Sequence, residues 1–372
     1  MTARKRVLLI CQADGFANGV KPAGIEQFLR SRGHEVQVEN TYFLSRASRA
    51  PDSFARKLPR PGLRRLAIYA VEAGSLALTR RWEFGRRRLS YWAFLADYHL
   101  RRSLLRSTLP VDEFDMVICE HPHDAGLCTA VTSAFRFYDC PDPYADEMYC
   151  EGRLTDAQHR KLRRFETDLF ERVDGLSFSW ESYARYAQEH YGISAGNLHQ
   201  LNWGCHPAER RARFGDPPRI VYIGSLTSRY INLPLLSRLT KLYPHIDVYG
   251  GPAPDPSLEL NYKGWAPPTV LGDYQMGLIT CTTDELRKDG FSAKHLDYIA
   301  CGLPVLVPSW RRHMDLLRGS IAYDEDTFTE VVARLRDEYE WSRVSDESYE
   351  QARRLTWERT LEPLDALLRE RA

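Results

Sequence analysis

The stretch from residue 289 to residue 308 constrains the fold more than any other part of the chain. Apolar residues fall near helical spacing from about residue 292 to 301, and Gly302 follows where a helix end favours a positive φ. Pro304 cannot continue the helix, and residues 305–307 form a short apolar run typical of a covered parallel strand. The stretch therefore predicts a helix, a tight turn and a buried strand.

Length and composition suit two soluble domains. A chain of 372 residues with 43% apolar residues can fill two cores of ordinary size. The eight cysteines are scattered and include no Cys-x-x-Cys pair, which favours a reduced cytoplasm over a disulfide framework. The first residues lack the apolar region of a signal peptide, and the longest apolar segment, 66–79, is interrupted by Glu72. We therefore expect a cytoplasmic protein with no membrane span.

Strand-like and helix-like patterns alternate along the whole chain. The loop after the first strand contains Gly15 and Gly19, and it would lie at the carboxyl end of a sheet, where such folds bind ligands. A proline-rich linker at 216–218 separates two series of elements. The predicted strands are 6–11, 35–39, 114–119, 134–138, 173–179, 220–225, 246–249, 277–281 and 305–307, and the predicted helices are 22–32, 155–172, 181–191, 233–242, 292–301 and 348–368.

The stretch at 289–308 resembles the donor-site signature of GT-B glycosyltransferases of the family 4 type. That signature has two acids separated by seven residues, followed by a small apolar run and Gly-x-Pro-Val. Here Asp289 and Asp297 keep the spacing with aspartate at both positions, and Gly302-Leu-Pro-Val completes the pattern. The resemblance implies two doubly wound, Rossmann-like α/β domains that face each other across a cleft. It places an acceptor-binding domain at 1–207, a nucleotide-sugar domain at 216–345 and a last helix, 346–372, that returns to the first domain.

The resemblance also implies a donor site. In the family the second acid accepts hydrogen bonds from the nucleotide ribose, and the loop between the acids faces the diphosphate and the sugar. Lys294 and Arg229 are the cations suited to the diphosphate, although Ser225 replaces the arginine that usually follows the glycine of the first exit loop. The implied donor-site residues are Gly15, Ser225, Arg229, Trp265, Asp289, Phe291, Ser292, Lys294 and Asp297.

Acids that follow the predicted strand 134–138 are candidates for a catalytic base. In inverting GT-B enzymes a carboxylate of the N-terminal domain takes the proton of the acceptor hydroxyl, which favours Asp142, with Asp139 as the second candidate. His121 is the third, because histidine titrates near neutral pH. Turn formation explains the same Asp-Cys-Pro-Asp-Pro sequence equally well.

The segment 45–110 is strongly basic, with fifteen Arg and Lys against four acids, although the whole chain carries a net charge of only +1. Its arginines alternate with aromatic residues, a pattern that suits an anionic membrane surface or a lipid-phosphate acceptor. Two ordinary helices with aromatic cores and solvated arginines would give the same pattern. No recognised nucleic-acid module accompanies the charge, so we expect no nucleic-acid partner.

The combined interpretation is a metal-independent glycosyltransferase of the hexosyltransferase type that acts in polysaccharide biosynthesis. A nucleotide-diphosphate sugar is the donor substrate and no cofactor is needed; the acceptor is a glycan, a glycolipid or a small molecule at the inner face of the membrane. His121 and His123 supply two potential metal ligands with no third at suitable spacing, so no metal site is expected. A hydrolysing nucleotide-sugar epimerase and a non-catalytic nucleotide-sugar-binding protein are the alternatives.

Overall fold

The computed structural model describes residues 4–12, 19–41, 83–131, 133–228, 230–312 and 318–370, and for residues 83–89 the backbone alone. Within these ranges the chain forms two five-stranded sheets. The predicted site residues Gly15 and Arg229, and most of the basic segment, lie outside the described residues.

The first sheet is parallel throughout and has the order β2-β1-β3-β4-β5. Val7 on the second strand of this order lies opposite both Val36 and Met116. The central strands expose almost no side chains, as expected for parallel strands that are covered on both faces. The strands are β1 (Arg6–Cys11), β2 (Glu35–Asn40), β3 (Met116–Cys119), β4 (Phe135–Cys140) and β5 (Gly175–Phe178).

Helices follow these strands, and their ends have local causes. Thr155 and Gln158 form a capping box at the start of α4, and Gly192, with a φ of +65°, ends α5. The helices of this part are α1 (Val20–Ser31), α2 (Glu83–Thr108), α3 (Tyr144–Cys150), α4 (Asp156–Arg172) and α5 (Glu181–Tyr191).

Helix α2 contains the part of the basic segment whose side chains the structure describes, and it shows which of them lie in a core. Tyr91, Phe94 and Tyr98 are buried and pack against residues of α3 and α4, so these aromatics belong to a core. Trp92 is different, with 61% of its surface exposed. Arg101 is buried in a salt-bridge network and is therefore not a solvated arginine.

The second sheet is also parallel and has the order β10-β9-β8-β6-β7. Gly277 allows Tyr298 to pack on this sheet, since a Cβ at residue 277 would lie 2.4 Å from the tyrosine ring. The strands are β6 (Ile220–Ile223), β7 (Ile246–Tyr249), β8 (Met276–Leu278), β9 (Val305–Pro308) and β10 (Ser320–Tyr323).

The helix predicted at 348–368 is divided in the structure. Thr356 forms a backbone bridge with Cys205, which interrupts the helical hydrogen bonding between two of the pieces. The remaining helices are α6 (Leu233–Leu242), α7 (Glu285–Asp289), α8 (Ala293–Ala300), α9 (Phe328–Arg334), α10 (Glu338–Arg354), α11 (Trp357–Thr360) and α12 (Glu362–Glu370). Short 3-10 turns occur at Val111–Glu113, Cys128–Ala130, Ala195–Asn197, Pro256–Leu258 and Pro268–Asp273.

The chain divides into two compact units, residues 1–203 with 360–372 and residues 204–359. Helix α12 belongs to the first unit, where the ring of His34 lies 3.1 Å from an oxygen of Asp365. Residues 204–207 and 346–359 lie in the second unit rather than in the ranges expected from the sequence. The backbone N–H of Cys205 donates to the carbonyl of Leu355 at 2.8 Å, which holds these two segments together.

The predicted α/β class is confirmed, since each unit contains a parallel five-stranded sheet with helical connections. Among the described helices, none is both long enough and apolar enough to cross a bilayer.

Candidate functional site

The carboxyl ends of β6, β8 and β9 meet at one edge of the second sheet, where parallel α/β sheets bind their ligands. The Gly224–Ser225 turn leaves β6 at this edge, and α8 begins there after β8. Gly250 packs on the carbonyl of Gly224, since a Cβ at residue 250 would lie 2.0 Å from that oxygen. The N–H of Gly250 also donates to the carbonyl of Gly264 at 2.9 Å, which brings the loop of Trp265 to the same edge.

Lys294 lies beneath the turn after β6. Its ammonium nitrogen is 5.0 Å from the centre of the Tyr222 ring, and a Cβ on Gly224 would lie 2.8 Å from its Cε. Burial lowers the pKa of Lys294 to about 8, and the positive charge of Arg311 adds to that effect while Asp297 opposes it. No carboxylate of a described residue forms an ion pair with Lys294, so its charge is available to a ligand.

Asp297 lies one turn further along α8 than Lys294. Its side chain is exposed to solvent on one side, yet the protein on its other sides raises the pKa of the carboxyl, and Lys294 opposes that rise. Burial raises the pKa values of the Cys205 and Cys301 thiols, and the charge of nearby Asp297 raises them further. The described side chains leave this carboxylate without a hydrogen-bond donor or an ion-pair partner.

Arg311 is a site residue that the sequence pattern did not single out. It follows β9 by three positions, only 8% of its surface is exposed, and its side chain forms no ion pair or hydrogen bond with a described residue. Its positive charge acts on Lys294, on His295 and on the Cys281 thiol, so all four lie at the same edge. The sequence signal that could have identified Arg311 is its position just beyond an apolar strand.

Asp289 has a different environment from the other acid of the motif. It is buried at the end of α7, and Arg312 donates to its Oδ2 at 3.0 Å. Phe291 contacts the ring of His295, with ring centres 6.4 Å apart, and Ser292 is the N-cap residue of α8 without a side-chain cap bond. Ser225 is exposed and bonds to Thr227, and Trp265 is 48% exposed.

The carboxyl edge of the first sheet holds a buried ion pair. Lys21, from α1, lies 2.7 Å from each carboxylate oxygen of Asp139 and also donates to the carbonyl of Leu201 at 2.7 Å. Ser177, on β5, donates a further hydrogen bond to Asp139. Asp139 lies within β4 rather than after it, because the strand extends two residues beyond the predicted end at 138.

Asp142, the residue favoured as catalytic base, lies half-buried in the loop after β4. Its carbonyl oxygen is 3.1 Å from the Cys140 sulfur. Asp146 and Glu147 lie in the first turn of α3, and Asp146 also bonds to His159 and Tyr186.

His121 and His123 lie in the loop after β3 with their rings stacked at 4.9 Å between centres. Burial, His123 and Arg101 hold the pKa of His121 well below its usual range, so this ring is neutral at pH 7. His123 contacts Asp97 at 2.6 Å through Nδ1 and the Tyr144 hydroxyl at 3.0 Å through Nε2. Only the Nε2 contact has the geometry of a hydrogen bond, and Nδ1 contacts the carboxylate without one. No group of three potential metal ligands occurs in the described part of the chain.

A depression of about 290 Å³ lies at the opposite, amino edge of the first sheet. Phe114, Met116, Phe135 and Leu367 line it, and its Lys5 and Asp115 lie 3.6 Å apart as an ion pair. Because its charges are already paired and it lies away from the carboxyl edge, we do not assign it a ligand.

Comparisons with known proteins bear on the fold. No protein-family model matches the chain, and the search of curated proteins returned no match. A glycosyltransferase from Rickettsia africae ESF-5 superposes with a TM-score of 0.60 and 9% identity, over 99% of this chain and 98% of that one. The lipopolysaccharide outer core galactosyltransferase WaaB gives 0.58 and 12%, over 99% and 100%.

TarM gives a TM-score of 0.56 and 11% identity over 73% of this chain, and the match spans only 58% of TarM. At these identities the likeness concerns the fold. Together with the two parallel five-stranded units, it shows that the chain has the fold of the GT-B glycosyltransferases.

Proposed function

We propose that this protein transfers a sugar from a nucleotide-diphosphate donor to an acceptor hydroxyl, and that the donor diphosphate binds at the carboxyl edge of the second sheet. The observation that carries the proposal is the pair of cations Lys294 and Arg311. Both are largely enclosed by protein, their charges act on each other, and neither forms an ion pair with a described acid.

Two like charges in such a place are unfavourable unless an anion joins them. A diphosphate supplies that anion, and guanidinium and ammonium groups are its usual partners. The negative charge on a nucleotide-sugar diphosphate increases as the bond to the sugar breaks, so the same cations would stabilise the transition state more than the bound donor.

The remaining donor contacts follow from the places of the side chains. Asp297, one turn after Lys294 on α8, is suited to accept hydrogen bonds from ribose hydroxyls. Ser225, in the turn after β6, and Ser292 and Ala293 at the start of α8 carry backbone N–H groups suited to phosphate oxygens, whereas the N–H of Gly224 already donates to the carbonyl of Tyr249 at 3.1 Å. Asp289 is engaged by Arg312 and would act mainly by fixing the loop. Gly15 and Arg229 remain predicted donor contacts.

The acceptor is proposed from one structural neighbour and one feature of the sequence. WaaB is a lipopolysaccharide galactosyltransferase, and the segment 45–110 of this chain is basic, so a lipid-linked or polysaccharide-precursor acceptor at the cytoplasmic membrane surface suits both. The proposed reaction uses the cations of the protein in place of a metal ion.

Binding of nucleoside diphosphates tests the donor site. Calorimetry with a panel of these ligands should find at least one that binds wild-type protein, and Asp297→Ala should weaken it by about 1.5–3 kcal/mol through lost hydrogen bonds to a charged group. Asp346→Ala, which removes an exposed partner of Arg211, is the matched control and should bind normally. Unchanged binding in a folded Asp297→Ala variant would contradict the assignment.

The reaction class needs a separate measurement. Incubation of the protein with nucleotide-sugars and cell-derived glycolipid should give a glycosylated product with release of nucleoside diphosphate. An epimerised sugar released without any acceptor would identify the epimerase instead. Binding without turnover under all conditions would identify a nucleotide-sugar-binding protein.

A further inference from the structure

Two cysteines of the first unit lie in contact in its core. Cys119 is the last residue of β3, and Cys128 begins the 3-10 turn that follows. Their sulfur atoms are 2.9 Å apart, both side chains are fully buried, and neither cysteine forms a disulfide. Because a disulfide bond is about 2.05 Å long, a movement of less than about 1 Å would bring the two sulfur atoms to bonding distance.

The Cys128 thiol lies against the first sheet. Its sulfur is 3.6 Å from the carbonyl oxygen of Phe137 on β4 and 3.9 Å from the carbonyl oxygen of Val117 on β3. The Cys119 sulfur is therefore the nearest of these three contacts. The packing of the turn on β3 and β4 holds the two thiols together.

The segment between the two cysteines is bound to other parts of the first unit through Asp124. One oxygen of Asp124 accepts from the Gln12 amide at 3.0 Å and from the Thr41 hydroxyl at 2.6 Å. Its other oxygen lies 3.3 Å from the guanidinium of Arg101 on α2. A covalent bond between the ends of this segment would therefore also stabilise the contact that holds α2.

We propose that Cys119 and Cys128 form a redox switch, in which hydrogen peroxide converts the thiol pair into a disulfide that constrains the segment between them. The inference does not depend on the proposed function. The thiolate of one cysteine attacks an oxygen of the peroxide, the O–O bond breaks, and a sulfenic acid forms with release of hydroxide. The second sulfur then attacks the sulfenic sulfur and expels its oxygen as water. Over both steps the thiols lose two electrons and two protons, and the peroxide becomes two molecules of water.

Burial determines how this pair reacts. It raises the pKa of Cys119 well above the usual value, and neighbouring Cys128 raises that pKa further, so little of the thiol is ionised at pH 7. Of the eight cysteines, Cys150 alone is exposed. We therefore expect slow oxidation of the buried pair by a small oxidant, and a disulfide as its product, because a second thiol lies beside any sulfenic acid that forms.

Peptide mapping of the whole chain tests the switch. Folded, reduced wild-type protein is treated with hydrogen peroxide, the remaining thiols are alkylated in denaturant, and the protein is digested. The digest should contain a linked pair of peptides with Cys119 and Cys128, and a dithiol added before alkylation should abolish the link. Both cysteines in unlinked peptides, or either one joined to a different cysteine, would overturn the proposal.

Three variants complete this test. Cys150→Ala, which removes the exposed thiol, is the matched control and should give the same linked peptides as wild type. Cys119→Ala and Cys128→Ala should give no disulfide at the remaining cysteine of the pair. A disulfide at that remaining cysteine would contradict a closed pair. Mapping of the wild-type protein needs no variant, so the test stands even where an alanine variant does not fold.

Stability measures the constraint itself. The disulfide would close a loop of about ten residues, for which the loss of chain entropy predicts an unfolding equilibrium constant about 100-fold lower. Oxidised wild-type protein should therefore unfold at a higher urea concentration than reduced protein, whereas peroxide should cause no such shift in Cys128→Ala. An oxidised, linked protein that is no more stable than the reduced protein would refute the switch, because the bond would then not constrain the segment.

Discussion

The carboxyl edges of the two sheets differ in how their charges are used. At the edge of the first sheet, Lys21 is paired with Asp139, and Arg101 bridges Asp97 and Asp124. At the edge of the second sheet, Lys294 and Arg311 lie near each other without an acid of the described residues on either.

The difference shows what each edge can do. A paired, buried charge holds two elements in place and has little capacity left for a ligand, whereas an unpaired cation gains most when an anion arrives. The charges of the first edge are thus largely paired within the protein, whereas at the second edge the proposed donor would supply the anion that Lys294 and Arg311 lack.

The largest effect is expected from breaking the pair at the first edge. Lys21→Met leaves the charge of Asp139 buried with Ser177 as its remaining described side-chain donor, and loss of one partner of a buried pair costs about 3–5 kcal/mol. Urea-induced unfolding should show this loss. Arg343→Met, which removes exposed pairs with Glu340 and Glu347, is the control and should cost less than about 1 kcal/mol. Similar losses in both variants would mean that the first edge is not a structural network.

Two neighbouring arginines, Arg311 and Arg312, test whether the unpaired cation at the second edge serves ligand binding rather than stability. Arg311→Met should weaken nucleoside diphosphate binding by about 1.5–3 kcal/mol with little loss of stability, because it removes a cation without a described partner. Arg312→Met should do the reverse, since it removes the Arg312 ion pair of the buried Asp289. Calorimetry and thermal unfolding of both variants separate these outcomes, and a fall in stability alone for Arg311→Met would assign it a structural role.

Lys294 makes the second edge sensitive to pH. Its pKa of about 8 lies below the ordinary 10.5, so the lysine is charged below pH 8 and loses its charge as the pH rises. Affinity for nucleoside diphosphate should therefore fall above pH 8, by at most about 1.4 kcal/mol per pH unit. The stability of the free protein should change in the opposite sense between pH 8 and 10.5, because the unfolded chain then holds the extra proton.

Titration calorimetry from pH 6.5 to 9.5 measures the effect on binding. The difference between wild type and Lys294→Met should be large at the acidic end and vanish at the alkaline end. A difference that is constant across this range would show that Lys294 does not titrate at the site.

The smallest effect concerns the basic segment. An arginine near an anionic membrane contributes about 1 kcal/mol of attraction, which salt screens. Flotation with acidic liposomes should therefore fall slightly for Arg87→Gln at low salt and should not change for Arg101→Gln, whose charge is paired inside the protein. Equal recovery of wild-type protein on neutral and acidic liposomes would show that the segment does not dock to a membrane.

Local pattern was sufficient for most elements of the fold. The strand Arg6–Cys11 and the helices Glu181–Tyr191 and Leu233–Leu242 have the predicted bounds, because apolar spacing and end signals act within a few residues. The prediction of a single long C-terminal helix was wrong because the cause lies far away in the chain. A backbone bridge from Cys205 divides the helix at Thr356.

The sequence by itself determined the two α/β series and the placement of Lys294 and Asp297 on one face of a helix, since residues three apart always share a face there. Only the tertiary structure decided which charges are paired. Lys21 and Asp139 are 118 positions apart, and Arg311 comes to Lys294 from a different loop. Strand order sets these meetings, because it brings the ends of β1, β3 and β4, or of β6, β8 and β9, to one edge, and strand order depends on long-range packing that no local pattern encodes.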